Sequence, residues 1–241
     1  MSKQKKKTAD ERLIDAEGAK LFGKHVSKEK GRLLLAVTLL ACAAPMLLGL
    51  RLWQQIPEVV SSGLIGTDGR DDTLPRSVLV FGLPALMMLL DLICHLQLWR
   101  YQMKMEVPPA KFRLVGRWGF PVISVLFCSG AILEAAGSES LLSLSFTAPC
   151  VLGLVLMILG GHVWDCSPDA KVALHFSFCQ REDVWHTVHR IAGWIWLVVG
   201  LLVIVQTMLT GGAQLWTAAV ILAALVLPVA YGYFSNLKSH N

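Results

Sequence analysis

Six long apolar stretches, each bounded by polar or charged residues, run through the chain: Leu33–Leu52, Ser77–Trp99, Trp118–Ala136, Leu141–Val163, Ile191–Leu209 and Leu215–Phe234. Crossing a hydrocarbon core of ~30 Å at ~1.5 Å per residue takes about 20 residues of helix, and each stretch is of that order. A helix satisfies its own backbone groups, whereas a membrane barrel needs alternating segments of about 10 residues, a pattern absent here. The reading is an all-α, polytopic bundle of six transmembrane helices over 33–234. A basic segment, 1–32, precedes it and a tail, 235–241, follows. The longer connections are 53–76, 100–117 and 164–190. Pro45, Pro84, Pro121, Pro149 and Pro228 fall inside the spans, where each should bend its helix or free a carbonyl.

Composition agrees. The chain of 241 residues is 54% hydrophobic and 16% charged, with a mean hydropathy of +0.56. So little charge cannot cover the surface of a soluble domain, which excludes a soluble enzyme, a secreted disulfide scaffold and a fibrous protein. Lysine and arginine are also sorted. Ten of the 22 lie in the first 32 residues, and most of the others fall on alternate connections. The opposite side holds only Arg51, Arg70 and Arg76, among Glu58, Asp68, Asp71, Asp72, Glu134 and Glu139. The positive-inside rule then puts both termini in the cytoplasm, and Trp53, Trp99, Trp118, Trp164 and Trp216 serve as interface anchors. The N-terminal segment is too basic and too long to read as a cleaved signal. Thr8-Ala9-Asp10-Glu11 fits a capping box that opens a short amphipathic helix, suited to anionic lipid or a cytosolic partner. The bland alternative is a solvated basic tail that only fixes topology.

Cys42, Cys94, Cys128, Cys150, Cys166 and Cys179 are placed within spans or in the cytoplasmic link, so none suits an extracellular disulfide. No phosphate loop, nucleophile elbow or zinc-protease motif occurs. The external connection, with Glu58, Asp68, Asp71 and Asp72, offers acids to a cationic or amphipathic molecule. In the link 164–190, the run Val172–Phe178 is apolar enough to fold back on the membrane.

Polar chemistry gathers at the cytoplasmic ends. Asp91 and His95 are spaced i,i+4 on the second span, His162 and Asp165 close the fourth, and His186, His189 and Arg190 open the fifth. An acid inside a span is costly and marks a functional site by default. Three accounts compete. Asp91 pairs with Arg190 or a histidine and holds the bundle together; or His95, His162, His186 and His189 bind haem or a divalent metal, as in a membrane redox enzyme; or the groups relay protons, with Asp91 driving a small transporter.

The stretch Glu182-Asp183-Val184-Trp185-His186-Thr187-Val188-His189-Arg190-Ile191-Ala192-Gly193 resembles the Trp…His-Arg-x-Ala-Gly segment of SdpI-family membrane proteins. The external connection, with Ile56-Pro57-Glu58, its Gly/Asp run and Leu74-Pro75, more weakly resembles the loop module that often precedes the SdpI region. Here it lacks that module's histidine–aromatic pair, and His162 replaces a typical asparagine. The resemblance implies a bacterial plasma-membrane protein that gives immunity to, or signals the presence of, a membrane-active peptide toxin. It implies neither catalysis nor a cofactor, and no direct contact with nucleic acid. An extracellular toxin and a cytosolic regulator are the implied partners. The resemblance singles out Trp185, His189, Arg190 and Gly193; the reading of the residues adds Asp91 and His95 opposite them, as polar groups within a span, and Asp68, Asp71 and Asp72 in the external connection.

The topology is tested by cysteine labelling in intact cells. Asp71→Cys should react only from outside and Lys238→Cys only from inside; the reverse pattern for either overturns the orientation.

Overall fold

The computed structural model of the protein describes residues 28–65, 71–103, 110–138, 144–164, 182–212 and 214–237. The capping box at Thr8–Glu11, Asp68, Asp165, Cys166, the run Val172–Phe178, Cys179 and Lys238 lie outside the described residues.

Six helices are long and apolar enough to cross a membrane, and the chain is an all-α polytopic bundle. The first span lies in α1 (Lys28–Arg51). The second is a π-helical turn, Val78–Gly82, running into α2 (Leu83–Met103). The third is built from α3 (Ala110–Ile123), a second π-helical turn at Ser124–Cys128, and α4 (Ser129–Ala135). The fourth, fifth and sixth are α5 (Leu144–Val163), α6 (Glu182–Thr210) and α7 (Leu215–Leu237). Two helices begin well before their apolar runs. The third span starts at Arg113 and the fifth at Val184, so polar residues that read as connection ride on helix.

Helices α1 and α6 pack together at the centre. The second and third spans flank α1, while α5 and α7 flank α6. Helices α5 and α6 form the most extensive pair, and glycines explain why. An added Cβ on Gly153 would stand 2.7 Å from the Gly200 carbonyl oxygen, and one on Gly200 2.5 Å from that of Gly153. One added on Gly160 would lie 2.8 Å from the Gly193 oxygen. The backbones touch at two levels seven residues apart. Small residues permit this approach, which supplies dispersion where lipid offers no hydrophobic drive. The main core joins α1, the third span, α5 and α6 through Leu34, Leu48, Trp118, Met157, Leu197 and Ile204. Leu40, Phe127, Leu202 and Leu222 are exposed, as lipid-facing side chains are.

The prolines have identifiable consequences. In the first π-helical turn the Leu83 N–H reaches back five residues to the Val78 carbonyl, directly before Pro84. The widened turn makes room for a ring that ordinary helical spacing rejects. Pro228 cannot donate to the carbonyl of Ala224 one turn earlier, and the Trp196 indole N–H fills that place at 2.9 Å. Helix α4 closes with Gly137 at φ 66°. There Ser138 N–H donates to Leu133 and Gly137 N–H to Glu134, a Schellman cap.

The connection after the first span contains a hairpin that the sequence reading treats as an irregular loop. Strand β1 (Val59–Ile65) pairs antiparallel with β2 (Asp71–Pro75), with Val60 opposite Leu74 and a register shift between Ser61 and Ile65. Val60 and Leu74 lean on the core while Val59, Ser61, Thr73 and Pro75 are exposed, the alternation of a half-buried strand. A lone two-stranded hairpin is marginal, so this one depends on its seat against the bundle. Arg76 fastens it, with the guanidinium 4.5 Å over the Trp53 ring and within 3.4 Å of the Trp53 and Ile56 carbonyls.

Trp196→Phe should lower stability in detergent by about 1–3 kcal/mol, because it strands a buried carbonyl. In a Pro228→Ala background the cost should vanish, since an alanine at that position restores the helical donor. Equal costs in both backgrounds reduce the indole to packing.

A buried carboxylate network and a stacked interfacial motif

Asp91 is fully buried on α2, and its partner comes from a residue the sequence reading did not single out. Thr38, on α1, places its hydroxyl 2.7 Å from Asp91 Oδ2 and 3.2 Å from His95 Nε2. A hydroxyl has one hydrogen. The shorter contact takes it, so Thr38 donates to the carboxylate and accepts from His95, which assigns the ring proton to Nε2. Nε2 also lies 3.9 Å from Asp91 Oδ1, which has no hydrogen-bond partner among the described residues. One turn of α2 brings acid and imidazole to one face, as their spacing requires.

The cations near this network belong to the third span. Arg113 and Arg117 are one turn apart near the start of that span, both buried, and Arg117 lies within electrostatic reach of Asp91. Lys30 is also buried, with Nζ 6.0 Å from the Trp164 ring centroid. Their position inside apolar helices was the missing signal: counted as basic loop residues, Arg113 and Arg117 only set topology. Arg190 is exposed on α6, and the Asp91–Arg190 pairing weighed from depth alone is not made. Equal depth says nothing of rotation about a helix axis.

The tryptophan–histidine–arginine stretch divides by helical face. Trp185, His189 and Gly193 recur every fourth residue and are buried; His186 and Arg190 are exposed. The His189 ring stacks on Trp185 at 3.7 Å between centroids, 27° between planes. Its Nδ1 donates to the Trp185 carbonyl at 2.8 Å, since a carbonyl can only accept. Gly193 leaves room for Trp164, whose Cβ would lie 2.7 Å from an added side chain. His162 on α5 likewise donates from Nδ1 to the Ile158 carbonyl, 2.7 Å away, and its ring centroid lies 6.5 Å from Trp118. Thus His95, His162, His186 and His189 occupy different settings. Among the described residues no three histidine, cysteine or acidic side chains come together as a metal-binding group. Cys42, Cys94, Cys128 and Cys150 are free thiols. Asp71 and Asp72 lie on β2, at the opposite end of the second span from His95.

Residues 179–232 match the SdpI/YfhL protein family. The match covers the whole of α6, its Trp185–Gly193 face included, and most of α7, and does not extend to the external connection. With six helices long and apolar enough to cross a membrane, the chain is a multi-pass membrane protein that carries, over residues 179–232, a segment similar to the SdpI/YfhL family. No curated protein and no solved structure gives a significant match.

Thr38→Val removes the donor to a buried carboxylate, and thermal denaturation should record a loss of about 1–3 kcal/mol. Thr38→Ser, which keeps the hydroxyl, should restore most of it. If Thr38→Val melts like the parent, the network contributes nothing to stability.

Proposed function

We propose that the protein gives immunity to, or signals the presence of, a membrane-active peptide toxin at a bacterial plasma membrane, acting by binding rather than catalysis and without a cofactor. The observation that carries this is the family match falling on α6, the helix at the centre of the bundle. Both termini face the cytoplasm in this reading, and the acidic hairpin meets the peptide from outside. Helix α6 spans the membrane between the two faces and touches α1, α5 and α7, so a contact on one side can reach the other through packed helices. Arg190, exposed beside the buried Trp185–His189 stack, is the surface cation that this reading offers to a cytosolic regulator.

A second reading is a small proton-coupled transporter. The fully buried Asp91, with one oxygen unbonded among the described residues, favours it. Vesicles loaded with purified protein separate the two: pH-driven solute uptake supports transport, and its absence alongside toxin protection supports immunity.

Arg190→Ala should leave expression and melting temperature unchanged, because the side chain is exposed. It should lower protection of toxin-treated cells by about tenfold, the scale of one lost interfacial charge contact. Full protection with normal expression removes Arg190 from the mechanism.

A further inference from the structure

A cavity of about 370 Å³ opens between the start of α1, the end of α2 and the start of the third span. Arg117 forms part of its wall. That side chain is only 7% exposed, and its Nε hydrogen finds no acceptor among the described residues. A buried guanidinium hydrogen left unpaired is expensive. Arg32, exposed in the first turns of α1, lines the same cavity, and Gly31 beside it leaves the entrance open, with nothing within 4 Å of an added Cβ. The remaining wall is mostly apolar, formed by Leu35, Leu96 and Leu98 with the ring of His95 among them, and Trp99 stands at the end of the span.

These features specify an anion with a greasy attachment. The described charges around the cavity are cationic apart from Asp91, and one Asp91 oxygen is already held by Thr38. Two guanidinium groups present planar forks of N–H donors, which suit a phosphate better than a point charge. The leucine wall suits an acyl chain or glycerol backbone. Trp99 marks the depth at which headgroups lie. Basic pockets between spans at that depth hold lipid phosphates.

We propose that this cavity binds the phosphate of an anionic phospholipid, gripped by Arg117 inside and Arg32 at the mouth. The lipid supplies an acceptor for the Arg117 Nε hydrogen and makes the basic end of the bundle dependent on membrane composition. The site is independent of the toxin reading and stands or falls separately.

Native mass spectrometry of the full chain, released from nanodiscs of phosphatidylglycerol or phosphatidylcholine, tests it. The parent protein should retain phosphatidylglycerol and not phosphatidylcholine. Arg117→Gln and Arg32→Gln should each weaken retention about tenfold, the loss expected for one charge-assisted hydrogen bond. Gly31→Leu should block the entrance and abolish retention. Because Arg32 and Gly31 are open to the surface, their variants test the site even if Arg117→Gln fails to fold. Retention undiminished in Arg32→Gln and Gly31→Leu overturns the proposal, as does equal retention of both lipids. Inorganic phosphate at millimolar concentration should not displace the lipid; if it does, the site belongs to a free anion and the lipid assignment fails.

Discussion

Hydrocarbon offers no hydrogen bonds, so a polar group carried into the bundle is costly unless another part of the protein meets it. That constraint orders the structure more than any single apolar contact does. It makes the spans helical, and it shows most clearly where the helical ladder is broken. Pro228 withdraws a donor from Ala224, and an indole from the neighbouring helix takes the vacant place. The second π-helical turn brings the Ser124 hydroxyl to the Cys42 carbonyl at 2.7 Å, tying the third span to α1. At the turn between α6 and α7, Gln206 is held by Thr210, Thr217 and the Gly212 carbonyl. Each repair joins two segments, so polar satisfaction also fixes which helices are neighbours.

The same constraint separates the two halves of the family stretch. His189 is buried, and burial is tolerable because Nδ1 donates to its own helix and the ring lies flat on Trp185. Arg190, one residue on, is turned by about 100° on a helix of 3.6 residues per turn and is exposed. A conspicuous His-Arg pair is therefore two different things: an architectural imidazole and a surface cation. Gly193, a turn beyond His189, completes the architectural face by letting Trp164 and Gly160 approach.

Much of this was legible in the chain. Span number, approximate limits and the i,i+4 relation of Asp91 and His95 follow from hydropathy and helical spacing, because both are properties of one segment. What joins segments was not. Thr38 is an unremarked hydroxyl in an apolar run, and only packing brings it to the carboxylate. Arg113 and Arg117 lie before the apolar run of the third span, so hydropathy assigns them to a connection while the helix starts earlier. The hairpin hid for a related reason. Its alternation is short and interrupted by Ser61-Ser62-Gly63 and a Gly/Asp stretch, and its stability comes from Val60 and Leu74 resting on the bundle.

The position of those arginines changes what their charge does. Counted in a connection, they contribute to an electrostatic bias that orients the chain during insertion. Carried on the first turns of a span and buried, they also need compensation in place. Asp91 lies within electrostatic reach of Arg117, but one of its oxygens is held by Thr38 and the other stands 3.9 Å from His95 Nε2. The Arg117 Nε hydrogen finds no acceptor among the described residues. In the lipid proposal that acceptor is a headgroup phosphate, at the depth that Trp99 marks. A residue that sets topology can in this way also set lipid preference, since both follow from placing a guanidinium group where the hydrocarbon ends.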